Sequence, residues 1–283
     1  MGTRARVPLA EAENLSFPGI RGNSSGTTGL LAGRGCVWFF GVEWLCDDLL
    51  LLTVFAYRGR LAHATGYTLM GAELIRLAAI GRIGIVEDMI VITSEEPTGD
   101  AELDAALTEI GESEDPPWPD EWVAQPRPRI AGRYLERLEA AGVVRAQTRF
   151  SATRWLVTDA ARLADARGRL DAIAASVGEV DLAQTAYAGL ACAIGLDYRL
   201  YRGRGQSAER DRLQEIAARG PAVSLAADGD SAHGDSAHGD SADIVEAATL
   251  AAIEAVTQAA VGAASQAAAQ AMASTADPGY GGA

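Results

Sequence analysis

The sequence predicts a mainly α-helical protein: a single multi-helix domain, with a central helical bundle ringed by amphipathic helices and two small β-hairpins at its edge. Two observations predict this fold. Apolar residues recur at helical spacing over most of the chain after residue 36. In addition, Gly81 and Gly142 each end such a helical run, and a short strand-like stretch follows each of them. Helices should therefore form the core.

Shifts in composition along the 283 residues predict three regions. Residues 1–35 mix Gly, Ser, Pro and Arg without periodicity, which is typical of a disordered extension. Residues 36–261 carry the helical patterns and form the predicted domain, and residues 226–243 within it repeat Gly-Asp-Ser-Ala-His, a low-complexity loop insert. Residues 262–283 form an Ala/Gly-rich C-terminal tail.

The first half of the domain begins with two helices, predicted over 42–55 and 67–80. The first is almost wholly apolar and should be buried. In the second, Leu69, Leu74, Leu77 and Ile80 lie near one face, and we expect Glu73 and Arg76 to lie off it.

A hairpin and a third helix follow Gly81. Ile83, Ile85 and the run 89–92 surround Glu87-Asp88, which is typical of two short strands and a tight turn. Pro97 stops the second strand, and either Thr98 or Asp100 can cap a helix over 101–110.

The second half alternates helices with one longer hairpin. Pro116, Pro117 and Pro119 mark 113–126 as an acidic loop, and 143–158 alternates like a hairpin with its turn near Ser151. Asp159 should cap the helix that follows the hairpin. The predicted helices cover 130–141, 160–176, 182–194, 207–219 and 244–273.

Composition restricts the class of function. The formal net charge of −14 argues against a protein that coats nucleic acid or anionic lipid over its whole surface, so an anion site must be local. All 24 basic residues are arginine and alanine is abundant, which is typical of a high-GC bacterium such as an actinobacterium. Three cysteines without CxxC spacing favour reduced thiols in a cytoplasm, and we find neither a secretory signal nor a spanning helix.

Residues for catalysis or metal binding are scarce, so we expect no enzyme, cofactor or metal site. His233 and His238 alternate with aspartates, but a flexible repeat does not preorganise metal ligands. His63 is the only other histidine. We expect the Asp47-Asp48 pair to be structural or solvated.

Four segments together resemble the Golgi phosphoprotein 3 family. They are the run Leu49 to Leu52 followed by Arg58-Gly59-Arg60, the stretch 74–83, the box Pro97-Thr98-Gly99-Asp100 with Leu103 and Leu107 behind it, and the stretch 138–144. The resemblance covers roughly 38–261. It implies a mostly helical fold with small hairpins. Characterised eukaryotic members bind phosphatidylinositol 4-phosphate on Golgi membranes and hold glycosyltransferases there through their cytoplasmic tails.

The resemblance also implies a binding site. The family pocket combines a tryptophan, an arginine at the start of the second helix, and arginines at the start of the helix before the longer hairpin. In this chain Met70 occupies the position of the second-helix arginine, and the preceding loop contains Tyr67 but no tryptophan. Our candidate lipid-binding residues are Tyr67, Met70, Arg127, Arg129 and Arg133. We expect them to form a site that accepts anionic headgroups in general and is not specific for a 4-phosphate.

We therefore expect a cytoplasmic protein, peripheral to the membrane, that binds anionic phospholipid headgroups and, as the resemblance implies, the cytoplasmic tails of membrane proteins. The alternative is a winged-helix-like DNA-binding regulator, because 129–159 has the order helix, glycine, basic hairpin. Overall acidity and the lack of a polar recognition face on 134–141 argue against nucleic acid as a partner.

Overall fold

The computed structural model describes residues 42–149, 152–203, 205–227 and 251–252, all of which belong to one compact unit, Val37–Ala283. The helices are α1 (Leu45–Ala56), α2 (Thr65–Ala79), α3 (Ala101–Glu112), α4 (Pro119–Val123), α5 (Ile130–Ala140), α6 (Ala160–Ala174), α7 (Leu182–Ala193), α8 (Leu196–Leu200) and α9 (Ser207–Ala227). The strands are β1 (Ile83–Val86), β2 (Met89–Ile92), β3 (Val144–Arg149) and β4 (Ala152–Val157). This architecture confirms the predicted mainly α fold with two small hairpins.

Several predicted regions lie outside the described residues. They are the extension 1–35, the tail 262–283, most of the insert 226–243 and most of the predicted helix 244–273. The predicted domain boundaries therefore stay predictions.

Helix α1 lies at the centre of the molecule. Its apolar run surrounds the whole helix, so it is buried on all sides, and Leu49 to Leu52 are at most 1% exposed. It packs against α2, α5, α6, α7, α8 and β4. The other helices are arranged around it, as the predicted central bundle requires.

Two identical corners connect helices to hairpins. Gly81 has φ +67°, its N–H donates to Ala78 O, and the N–H of Arg82 donates to Leu77 O at 2.8 Å. Gly142 has φ +74° with the same pair of bonds to Glu139 and Leu138. Both are Schellman caps, in which a left-handed residue satisfies the last carbonyls of the helix. The sequence echo thus corresponds to a repeated structural device.

The hairpins have the predicted positions. β1 and β2 pair antiparallel from Ile83↔Ile92 to Val86↔Met89. Glu87 and Asp88 between them both have positive φ, 51° and 61°, as a two-residue type I′ turn requires. β3 and β4 pair from Val144↔Val157 to Arg149↔Ala152, and their connecting residues lie outside the described part.

Aspartates begin three helices. Asp100 accepts from the N–H of Glu102, and Asp159 accepts from the N–H groups of Ala161 and Arg162. Asp181 forms a reciprocal capping box with Gln184. The caps at Asp100 and Asp159 were predicted, because a short acidic side chain satisfies free helix N–H groups.

Three predictions were wrong in detail. The acidic loop contains α4, which Trp122 and Val123 anchor in the core. Helix α9 continues to Ala227, beyond the predicted end at 219 and through Gly220-Pro221. Glu73, expected off the buried face of α2, is fully buried, whereas Ile80 is 37% exposed.

The burial of α1 predicts the effect of a matched pair of substitutions. Val54→Ala, at a position 1% exposed, should lower the free energy of unfolding by about 2 kcal/mol, from about 0.8 kcal/mol per buried methylene plus a cavity. Val177→Ala, at a position 99% exposed, should leave it within about 0.5 kcal/mol of wild type. Chemical denaturation measures both, and equal effects would contradict the central position of α1.

Candidate anion-binding surface

The two segments that hold the predicted site residues lie side by side. Gly66, at the start of α2, packs on Pro126 in the segment before α5, so closely that an added Cβ would lie 3.1 Å from the Pro126 Cβ. Tyr67 is half-buried there, but Met70 is fully buried. Met70 therefore offers no surface to a headgroup, and a lipid site at this place would depend on the neighbouring arginines.

Arg127 is directed inward. Its side chain is 7% exposed and forms an ion pair with Glu73, which is completely buried. It also approaches Glu109 at 3.5 Å and donates to the carbonyl of Glu102 at 3.1 Å. Arg127 thus stabilises the contact between α2, α3 and α5, and its guanidinium is not available to a ligand.

The buried carboxyl of Glu73 is the most perturbed acid of this neighbourhood. Burial raises its pKa to about 7, although Arg127 and a hydrogen bond from the Tyr134 hydroxyl at 2.9 Å both oppose the rise. Proton uptake at Glu73 is consequently coupled to the packing of α2 on α5.

The two remaining predicted arginines also have acidic partners. Arg133 pairs with Glu102 at 2.9 Å, and its side chain is 38% exposed. Arg129 pairs with Glu136 at 2.9 Å, but both side chains of this pair are mostly exposed, 79% and 59%. Surface pairs of this kind are weak and exchange readily, so Arg129 is the predicted residue best placed to meet an anion.

Further arginines are used between helices. Arg137 of α5 pairs with Asp47 and with Asp100, and Arg76 of α2 pairs with Asp100 at 3.0 Å. Asp48, which is 1% exposed, accepts from Arg169 and pairs with Arg162. The Asp47-Asp48 pair is therefore structural, the first of the two alternatives that the sequence left open.

Six exposed arginines have no acidic partner among the residues that the structure describes. Arg199 and Arg202 lie in α8 and just after it, and Arg199 stacks on the ring of Tyr57. The other four form what we call the cationic surface: Arg58, Arg60, Arg145 and Arg154. Two lie in the loop after α1 and two on the β3–β4 hairpin. The sequence-based site did not include them.

Backbone contact joins the two halves of this surface. The N–H of Trp155 donates to Gly59 O at 2.9 Å, so the loop lies along β4. On the hairpin, Arg145 is opposite Leu156 and Arg154 is opposite Gln147, which places both arginines on one face. Trp155 and Val157 occupy the other face and pack against the core.

A signal for this surface was present in the sequence. Arg58-Gly59-Arg60 comes shortly after an almost wholly apolar helix, and both strands of the predicted hairpin carry arginine. What the sequence did not contain was the pairing of Gly59 with Trp155, which brings the two segments together.

Other kinds of site find no support in the described part of the chain. It contains no group of three or more His, Cys, Asp or Glu side chains that could hold a metal ion. No helix within it is long and apolar enough to cross a membrane.

A family model described as Golgi phosphoprotein 3 (GPP34) matches residues 45–273, which is most of the chain. The chain belongs to the Golgi phosphoprotein 3 family. No curated protein matches it. Membership confirms the resemblance seen in the sequence, and the family match includes the cationic surface, the Pro97 to Asp100 box and both hairpins.

The pKa of Glu73 predicts a pH dependence for this Golgi phosphoprotein 3 family protein. Because the folded-state pKa of about 7 lies above the usual 4.5, the folded state binds the proton more tightly, and stability should fall as pH rises from about 4.5 to 7. Over this pH range the raised pKa of Glu73 should lower the free energy of unfolding by about 3 kcal/mol, because each pKa unit corresponds to about 1.4 kcal/mol. Glu73→Gln should remove that slope, as denaturation at several pH values would measure. Parallel slopes in the two proteins would contradict it.

Proposed function

We propose that the protein is a cytoplasmic, adaptor-like protein that associates peripherally with membranes rich in anionic phospholipid. The observation that carries the proposal is the cationic surface, because its arginines are exposed and lack acidic partners in the described residues. Family membership supports the same function, since characterised eukaryotic members of the family bind an anionic phospholipid at a membrane surface.

Electrostatics explain why unpaired arginines matter in this chain. At a net charge of −14, the protein as a whole is repelled by an anionic bilayer, so attraction has to come from a local excess of positive charge. A well-placed basic residue contributes about 1 kcal/mol at such a surface, and four contribute roughly 4 kcal/mol. This is enough for reversible association that weakens with salt.

The headgroup that we propose is any anionic phospholipid. Specific recognition of a 4-phosphate would require guanidinium groups directed into a formed pocket, whereas Met70 is buried at the second-helix position and Arg127 is engaged with Glu73. Arg129, at the start of α5, is a further positive charge that we propose meets the membrane, because its guanidinium is mostly exposed. Tails of membrane proteins are a second class of partner, proposed from family membership.

The DNA-binding alternative loses support at α5. A recognition helix presents polar side chains to base edges, but Arg133 and Arg137 pair with acids of the same chain, and Tyr134, Leu135 and Leu138 are buried. Duplex DNA is therefore the comparison ligand in the test of function.

Vesicle sedimentation tests the proposal. The full chain should sediment with vesicles of equimolar phosphatidylcholine and phosphatidylglycerol, but not with phosphatidylcholine alone, and binding should weaken with salt. Duplex DNA at the same ionic strength should retain little protein. Equal recovery on both vesicle types would refute the proposal, and stronger retention on DNA would favour the regulator.

Arg129 provides a variant with a graded outcome. Arg129→Glu replaces one exposed positive charge with a negative one, so it should weaken binding to the phosphatidylglycerol vesicles severalfold without changing stability by more than about 0.5 kcal/mol. Arg82→Gln removes a charge at the β1–β2 hairpin, where Arg82 pairs with Glu96, and serves as the control. A loss of binding in the control and not at Arg129 would exclude Arg129 from the membrane-binding face.

A further inference from the structure

We infer that the loop after α1 and the β3–β4 hairpin form one composite phosphate-binding site, in which Arg58 and Arg60 act together with Arg145 and Arg154 on the phosphate of an anionic headgroup. The inference rests on the proposed membrane association and specifies where and how the headgroup is bound. The site depends on contact between two segments that are far apart in sequence, and not simply on the number of arginines.

Gly59 makes that contact possible. Its φ is +83°, a conformation that favours glycine, and an added Cβ would lie 2.5 Å from Trp155 O and 3.2 Å from the Cβ of Arg154. The loop backbone therefore approaches β4 more closely than any residue with a side chain would allow. Arg58 and Arg60 flank Gly59, so each is one residue away from the point where the loop contacts Arg154 of β4.

The hairpin arranges its two arginines for the same task. Arg145 and Arg154 are diagonal neighbours on one face, since their partners in the ladder are Leu156 and Gln147. Such neighbours lie about 7–8 Å apart, a separation that long guanidinium side chains bridge around a single phosphate. No acidic side chain of the described residues neutralises either arginine.

The loop arginines lie at the C-terminal end of α1, where the helix dipole favours cations. Arg58 donates its N–H to Phe55 O at 3.2 Å and has φ +55°, which is unusual for a residue other than glycine. The last turn of α1 and the Gly59 contact thus hold the loop at both ends.

Apolar side chains beside the arginines favour a bilayer over a soluble phosphate or a nucleic acid. Phe55 is 52% exposed one turn before the loop, and Leu156 is 36% exposed on the face that Arg145 and Arg154 share. At a membrane, such residues reach the boundary between headgroups and acyl chains while arginines contact phosphates. Neither side chain has a comparable role against free phosphate in water.

The decisive variant changes the geometry of the site at constant charge. Gly59→Ala keeps all four arginines but displaces the loop from β4, so binding to phosphatidylglycerol vesicles should fall about thirtyfold, to the level of Arg58→Gln with Arg60→Gln. Gly81→Ala is the matched control, because Gly81 has φ +67° with no atom within 4 Å of an added Cβ, and lies away from the site at the β1–β2 hairpin. It should bind like wild type.

The outcomes separate this inference from the proposed function. If wild type does not bind the vesicles, the proposed function fails. If wild type binds, and folded Gly59→Ala binds equally well, the composite site is wrong although the function stands. Should Gly59→Ala not fold, two double variants decide: Arg58→Gln with Arg60→Gln, and Arg145→Gln with Arg154→Gln. A composite site requires comparable losses of vesicle binding from each pair.

Competition by inorganic phosphate distinguishes a lipid headgroup from free phosphate as the ligand. Vesicle binding is measured in phosphate and in chloride at the same ionic strength. A lipid site should bind vesicles equally in both salts, and displacement of the protein by phosphate but not by chloride would overturn the lipid assignment.

Discussion

The carboxylate of Asp100 joins three helices directly and a fourth through Arg137. It caps α3 through the N–H of Glu102 and accepts from Arg76 of α2 and from Arg137 of α5. Arg137 continues the network to Asp47 on α1. Burial alone would raise the pKa of Asp100, but Arg76 and Arg137 lower it below its usual value, so the group stays charged. The Pro97 to Asp100 box is therefore a junction of the domain as well as a helix start.

Buried acids of this kind explain the use of arginine in the molecule. Asp48, Glu73 and Asp100 each need a cationic partner, because an unpaired buried charge is costly, and arginine forks meet that need from several directions. Most arginines near α5 form ion pairs with acids of this kind. The arginines of the cationic surface differ from these because they face no such acid among the described residues, even though the chain has a large negative net charge.

Local signals in the sequence were sufficient for most of the fold. Gly81 and Gly142 end helices, Glu87-Asp88 turns a hairpin, and Asp100 and Asp159 cap helices, since each of these depends only on neighbouring backbone groups. The site was less predictable. Glu73 and Met70 are both buried in α2, and periodicity did not reveal this because core packing surrounds nearly the whole helix. Glu73 is tolerated there because Arg127 and Tyr134, both more than fifty residues away in sequence, supply its partners.

The sequence by itself determined the family, the mainly helical class, and the positions of the two hairpins, all of which follow from local patterns and residue order. Tertiary structure alone decided which charges are free. Whether an arginine is paired depends on the acids that folding brings near it. Glu73 lies beside Arg127, whereas no acid among the described residues pairs with Arg154 beside Gly59. Net charge sums over all these groups, whereas binding depends on the few that remain exposed without a partner.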